Sequence, residues 1–342
     1  MGKLFDEPKV SVIIPTKNRF DALERCLDSL TNQTYRRFEV IIVEGGSADR
    51  SKTLVKKYAG KLAITYLSQT KRGLANATNE GVRNSDGEIV IRTDDDIVAE
   101  ENWLQEIVKV FCSSSKVGGV TGPTIIPEDL MKQRDLFYFQ ERMQKGNVFW
   151  SLLGRIYFNY FLEGEPLSVG KFFRSGAFSL GSNYNFCLKM KNVIEVDHHE
   201  ACNLAVRRDL LEQIGGFDTT FTGIGDYNES DVSFKIRRLG YRIMFNPKAI
   251  VHHLPSTEGI FKDRPNSYDR MLNFINFYFR HIRPDTPDKF VRFFSYLLFL
   301  NGFWIYKFGT TRQASQLGCL KGTMVGLAQN ILRQKVKNCL RL

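Results

Sequence analysis

Three consecutive carboxylates, Asp94, Asp95 and Asp96, close the apolar run that ends at Ile91. Adjacent negative charges repel one another unless a cation or solvent compensates them. Mg²⁺ or Mn²⁺ prefers oxygen donors of this kind, and a bound divalent ion can neutralise a departing diphosphate. The same triplet also reads as a solvated acidic turn ahead of a helix predicted over Glu101–Phe111. A second acidic pair, Glu229 and Asp231, stands where a helix containing Asp231–Leu239 is predicted to begin. One such carboxylate can take the proton of an attacking hydroxyl; two first-turn acids are equally what a helix dipole favours. His252 and His253 end an extended segment, Ala249–Leu254, so their side chains point to opposite faces. One of them is a candidate metal ligand, with a structural or surface role as the alternative.

These groups need a scaffold that gathers them. Short apolar, β-branched runs at Lys9–Pro15, Glu39–Val43, Leu62–Leu67 and Glu88–Ile91 read as buried strands. Between them lie segments with helical periodicity: one carrying Leu23, Cys26, Leu27 and Leu30, one reaching about Tyr58, and one over Gly73–Asn84. Alternating strands and helices predict an α/β fold with a mostly parallel sheet covered on both faces. In such sheets ligands bind beyond the carboxyl ends of the strands, where the acidic triplet falls. Residues 130–195 are rich in aromatics (Phe137, Tyr138, Phe139, Phe149, Trp150, Tyr157, Phe158, Tyr160, Phe161, Phe172, Phe173) and lack periodicity, which predicts an irregular insertion. Order returns from Val196, with a strand at Arg242–Phe245 and a helical, basic region after Pro255.

The blocks V-S-V-I-I-P-T-K-N-R, Q-T-Y-x-x-F-E-V-I-I-V-E-G-G-S-A-D and D-G-E-I-V-I-R-T-D-D-D resemble the family-2 glycosyltransferases. So do C-N-L-A-V-R-R-D-L-L-E-Q-I-G-G-F-D and N-E-S-D-V-S-F-K-I-R-R-L-G-Y-R-I, all in order from residue 9 to about 255. The resemblance implies the GT-A fold, a nucleotide sugar (UDP- or GDP-linked) as donor, and an inverting, non-processive transfer to an acceptor hydroxyl. It puts Pro15, Thr16, Asn18, Glu44, Asp94 and Asp95 on the donor nucleotide and Asp96, with Asp94 and a histidine (His253 in first place, His252 in second), on Mn²⁺ or Mg²⁺. Glu229 falls at the base position, and Asp231 would orient acceptor or backbone. Asp197, Asn203, Arg207 and Asp218 are further contacts to sugar, acceptor or phosphate, each with a turn or helix-face role as its alternative. The family usually has an Asp pair after the second strand; this chain has Glu44-Gly45, whose longer arm leaves base identity open. The insertion at 130–195 would shape the acceptor site.

The implied boundaries are a catalytic domain over 1–259 and a basic helical region over 260–342. Residues 260–342 carry 14 Lys/Arg against 4 Asp/Glu, so +10 of the net +11 lies there and 1–259 carries +1. Phe293–Tyr306 is uncharged and aromatic but short of the ~20 residues a membrane span needs. Together these features predict attachment to an anionic membrane surface at its cytoplasmic face, beside a lipid-linked or cell-surface glycan acceptor. A helical pair packed on the catalytic domain is the alternative. Six scattered cysteines without a Cys-x-x-Cys pair suit reduced thiols, and the charged N-terminus shows no signal peptide. A nucleic-acid-binding protein would explain the basic tail and leave the acidic clusters without a role, so no nucleic acid is expected as a partner. A processive synthase would carry a Gln-x-x-Arg-Trp block, which does not occur. A non-catalytic sugar-nucleotide-binding relative would have no reason to keep Asp94, Asp96 and Glu229 together.

Overall fold

The computed structural model describes residues 6–47, 50–128, 141, 148–255 and 266–339. Four strands are parallel neighbours: β1 (Val10–Thr16), β2 (Phe38–Glu44), β3 (Ile64–Ser68) and β4 (Ile89–Arg92), connected by helices α1 (Phe20–Thr31), α2 (Ser51–Tyr58) and α3 (Leu74–Arg83). The chain continues through β5 (Ile97–Ala99), α4 (Trp103–Ser113), β6 (Val117–Thr121) and β7 (Thr124–Ile125). It then forms α5 (Val148–Arg155), β8 (Ile194–Val196), β9 (Leu204–Arg207), α6 (Arg208–Gln213), α7 (Asn228–Arg238), β10 (Arg242–Phe245) and β11 (Val251–His253). Three helices end the chain: α8 (Ser267–His281), α9 (Pro287–Thr311) and α10 (Gly318–Cys339). The main sheet has the order β3-β2-β1-β4-β9-β6-β10-β8, and a smaller sheet has the order β5-β11-β7.

The sheet is mixed because β9 lies antiparallel between β4 and β6, and β8 antiparallel at the edge. From β1 the chain runs outward through β2 and β3, then returns to β4 on the other side of β1. That reversal opens a crevice at the carboxyl ends of β1 and β4. Apolar clusters cover both faces: Leu23, Leu27, Trp103, Leu104 and Phe111 on one, Leu210, Leu211, Val232 and Ile236 on the other. Strands β6 and β9 lie outside the runs predicted from periodicity. In β6, Val-Gly-Gly-Val-Thr, a Cβ on Gly119 would collide with Nε2 of His199. That glycine is a packed strand position, not a turn. His199 is held between Ser233 and the carbonyl of Ala205, and burial lowers it to about 3, so it is a neutral bracket of the core.

Of the 130–195 insertion, Phe137, Tyr138 and Phe139 lie outside the described residues. The rest begins with α5, passes through a π-helical turn at Ile156–Phe161 and becomes irregular, with two short 3₁₀ turns. Phe161, Leu162 and Phe173 of this stretch share one apolar cluster with Met271, Phe274 and Tyr278 of α8 and Phe293, Tyr296 and Leu297 of α9, whereas Phe149 is 62% exposed. That cluster crosses the 259/260 boundary expected from charge. Helix α10 approaches α8 through glycine, since a Cβ on Gly322 would lie 2.4 Å from the carbonyl oxygen of Tyr268.

Candidate functional site

The register of the strands assembles the acidic triplet's surroundings. Thr16 ends β1 opposite Glu44 at the end of β2, and β4 delivers Asp94, Asp95 and Asp96 beside them. Thr16 Oγ1 donates to Asp95 Oδ2 at 2.7 Å, and Arg19, itself buried, donates to Asp95 Oδ1 at 2.6 Å and Asp96 Oδ2 at 3.1 Å. Burial pushes the Asp95 carboxyl up to about 6 against the opposing pull of Arg19. Asn18 takes a left-handed conformation, φ 53°, and its N–H donates to Ser47 Oγ. The N–H of Ser47 in turn donates to the buried Glu44 carboxylate. Pro15, Thr16, Asn18 and Glu44 therefore form one rim of the crevice, with a Glu44 oxygen engaged in shaping its own turn.

Arg92 joins the two acidic groups that the sequence places 135 positions apart. It is buried at the end of β4, with one guanidinium nitrogen 2.7 Å from Asp94 Oδ1 and another 3.2 Å from Glu229 Oε1. The second nitrogen also donates to the carbonyl of Ala201. Burial raises the Glu229 carboxyl above the usual glutamate range, opposed by Arg92 and reinforced by Asp94. Asp94, Asp95, Asp96 and Glu229 thus face two guanidinium groups, Arg19 and Arg92. With all four ionised, the cluster is short by two positive charges, the charge of one divalent cation.

The histidines separate as alternation requires. Pairing of β11 with β5 sets His253 opposite Ile97, next to Asp96. His253 is buried, its Nε2 3.2 Å from Asp96 Oδ1 without a hydrogen-bonding angle between them. His252 points outward to Glu100, 2.7 Å away, and has no place in the cluster. Antiparallel pairing of β4 with β9 matches Arg92 to Leu204, and two residues beyond each strand Cys202 meets Asp94, Sγ 3.1 Å from Oδ2. Asp94, Cys202 and His253 offer donor atoms all within 4.8 Å of one another. This donor set fits a divalent cation.

Other expected site residues lie elsewhere. Asp231 is fully buried and faces Arg280 and His281 of α8 and Lys235 of its own helix, each at 2.7 Å. Burial would raise its carboxyl, but the His281 hydrogen bond and the two cations overcome that and hold it well below the usual range. Asp218 is 2.6 Å from the same Arg280, so both aspartates anchor α8. Asp197 accepts from the N–H of Phe172 and pairs with Arg237, fixing a turn. Asn203 uses its whole amide in the core, accepting from Trp103 Nε1 and donating to the carbonyls of Pro123 and Ala249. Arg207 pairs across the sheet with Ile89, at the end of β4 remote from Asp94, and reaches Asp209. Arg19, Arg92 and Cys202 carried no assigned role in the sequence reading. The signal for Arg92 was an arginine closing a continuous apolar strand, a position that demands a buried carboxylate partner.

This sheet, with a metal-compatible acidic cluster at its switch point and a buried carboxylate behind it, has the GT-A fold of nucleotide-sugar transferases. The chain belongs to glycosyl transferase family 2, whose profile matches residues 11–181. It is 24% identical over 309 residues to "Probable glycosyltransferase YdaM" of Bacillus subtilis, covering 86% of this chain and 64% of that protein's length. It is 23% identical over 255 residues to the glucosyl-dolichyl phosphate glucuronosyltransferase of Haloferax volcanii, covering 72% of this chain and 69% of the relative. Among solved structures, the mannosyltransferase PcManGT of Pyrobaculum calidifontis, in complex with GDP-Man and Mn²⁺, has the same fold. Its TM-score is 0.53 at 21% identity, over 99% of this chain and 83% of that one.

Proposed function

We propose that this chain is a metal-dependent, inverting, non-processive glycosyltransferase that moves a sugar from a nucleotide-diphosphate sugar to an acceptor hydroxyl. The observation that carries the reading is the Arg92 bridge, which sets Glu229 and the Asp94–Asp96 cluster side by side at the switch point of the sheet. Pro15, Thr16, Asn18, Glu44 and Asp95 form the nucleoside side of the crevice in this reading. Asp94, Asp96 and His253 hold Mn²⁺ or Mg²⁺, which when bound supplies positive charge to the diphosphate. Glu229 takes the acceptor's proton as its oxygen attacks the anomeric carbon, and burial, which raises its proton affinity, makes it a stronger base for that task. The mannosyltransferase structure with GDP-Man and Mn²⁺ supports the donor class and the ion.

The acceptor in this reading is a lipid-linked or cell-surface glycan, reached from the cytoplasmic face of a membrane. Support comes from α9 and α10, which turn one face inward and leave the other bare. Val291, Leu298 and Ile305 recur every seven residues along α9, and Leu320, Met324 and Ile331 line α10, with Leu298 76% and Met324 66% exposed. Exposed Arg312, Lys321 and Arg333 flank them; the side chains of Lys335, Lys337 and Arg341 lie outside those described. No described helix is long and apolar enough to cross a membrane. The relative named for glucosyl-dolichyl phosphate points the same way. The test is the product: NMR of the transferred sugar should give the anomer opposite to the donor's, and a retained configuration would refute the single-base mechanism.

A further inference from the structure

We infer that the cluster is also a thiophilic metal site, in which Cys202 joins Asp94 and His253 to take Zn²⁺ or Cd²⁺ in preference to Mn²⁺ or Mg²⁺. The three donors come from three elements, the end of β4, the turn into β9 and the last residue of β11, and all lie within 4.8 Å of one another. His253 is 4% exposed, and its Nε2 makes no hydrogen bond, so a buried ring nitrogen without a hydrogen-bond partner faces the cluster, 3.2 Å from Asp96 Oδ1. Asp94 divides its oxygens: Oδ1 faces Arg92, and Oδ2 faces the Cys202 sulfur. The Asp94 side chain is 17% exposed, which leaves a route from solvent.

The donor chemistry decides the ion. Mg²⁺ and Mn²⁺ favour oxygen shells, whereas one thiolate, one imidazole and one carboxylate with a fourth position open is a zinc donor set. Zn²⁺ also stands above Mn²⁺ in the general affinity order of divalent ions. On binding, the Cys202 S–H bond breaks, a metal–sulfur bond forms and the proton leaves to solvent; no oxidation state changes. Because Asp94 and His253 would serve either ion, Zn²⁺ excludes Mn²⁺ and blocks donor binding. That inhibitory consequence rests on the function proposed above; the sulfur ligation does not.

The full chain titrated with Cd²⁺ should bind one equivalent with a sulfur-to-metal charge-transfer band in the near ultraviolet. Cys202→Ser should lose that band and bind Cd²⁺ at least about tenfold more weakly. The other free thiols, among them Cys26, Cys112, Cys187 and Cys319, remain in that variant as an internal control. X-ray absorption on the zinc-loaded wild-type chain gives the same answer without a substitution, with one sulfur expected in the first coordination shell. An all-oxygen and nitrogen shell, a band undiminished in Cys202→Ser, or no Cd²⁺ uptake would overturn the site. Sulfur-bound zinc in a chain that binds no nucleotide sugar with Mn²⁺ would keep this inference and sink the proposed function.

Discussion

Glu229 is held at 9% exposure with Arg92 as its cation, and the two opposing effects make its protonation testable. A general base works as the carboxylate, so activity rises with pH through its pKa. Because burial raises that pKa, the acid limb of kcat/KM should lie above the ordinary glutamate value of about 4.3. Arg92→Met removes the group that favours the charged form and should move the limb to still higher pH. A limb that stays put or moves down would contradict the pairing. Glu229→Gln should bind donor nearly normally and transfer sugar at least ~10²-fold more slowly, the usual loss for a general base. Equal turnover in wild type and variant would remove Glu229 from the chemistry. Asp231 differs from its neighbour two residues earlier only in direction. On a helix that offset turns it about 200° away, toward α8 and out of the cluster.

At the scale of elements, that direction makes Asp231 the joint between α7 and α8. Its folded pKa is lowered, so its contribution is complete above the ordinary aspartate range and is lost as pH falls through the folded value. Asp231→Asn leaves Arg280 only Asp218 and strips His281 of its carboxylate, and should cost about 3–5 kcal/mol in urea unfolding at neutral pH. The difference from wild type should shrink as the acid limit is approached. A loss below about 1 kcal/mol, or a larger effect on turnover than Glu229→Gln shows, would mean the pair is assigned backwards. The elements themselves were unevenly legible. Strands β1 to β4 were visible because buried parallel strands are continuous apolar runs, and the acidic triplet was visible because it ends one. Strands β6 and β9 were hidden by Gly118-Gly119, which pack against Ile236 and His199, and by Arg207 and Arg208, which reach Asp209 and the carbonyls of Val82 and Gly87. Cys202 was hidden more deeply: only the register of β4 against β9 puts it beside Asp94. Asn203 looked polar enough for a site, yet its amide closes three bonds inside the core.

For the whole molecule, net positive charge is concentrated from residue 260 onward, and α9 and α10 carry exposed apolar side chains, as does the stretch from Val148 to Val193, while the described inner faces of these helices complete the cluster around Phe161 and Phe274. The inner faces thus pack as the helical-pair alternative expects, and flotation with liposomes tests the outer face. The full chain should float with vesicles rich in anionic lipid and release in high salt, since each basic residue near such a surface contributes about 1 kcal/mol. Loss of flotation should follow when Leu298 and Met324 are both replaced by Glu. A chain that stays in solution with such vesicles at low salt would confine α9 and α10 to packing and free the acceptor from any lipid. The central claim concerns the crevice and needs no acceptor to test. Calorimetric titration of the full chain with a panel of UDP- and GDP-linked sugars, in Mn²⁺ and then after exhaustive dialysis against EDTA, addresses it directly. At least one donor should bind in Mn²⁺, with binding abolished in EDTA and restored when the ion returns. No donor bound in Mn²⁺, or a donor bound equally well in EDTA, would contradict it.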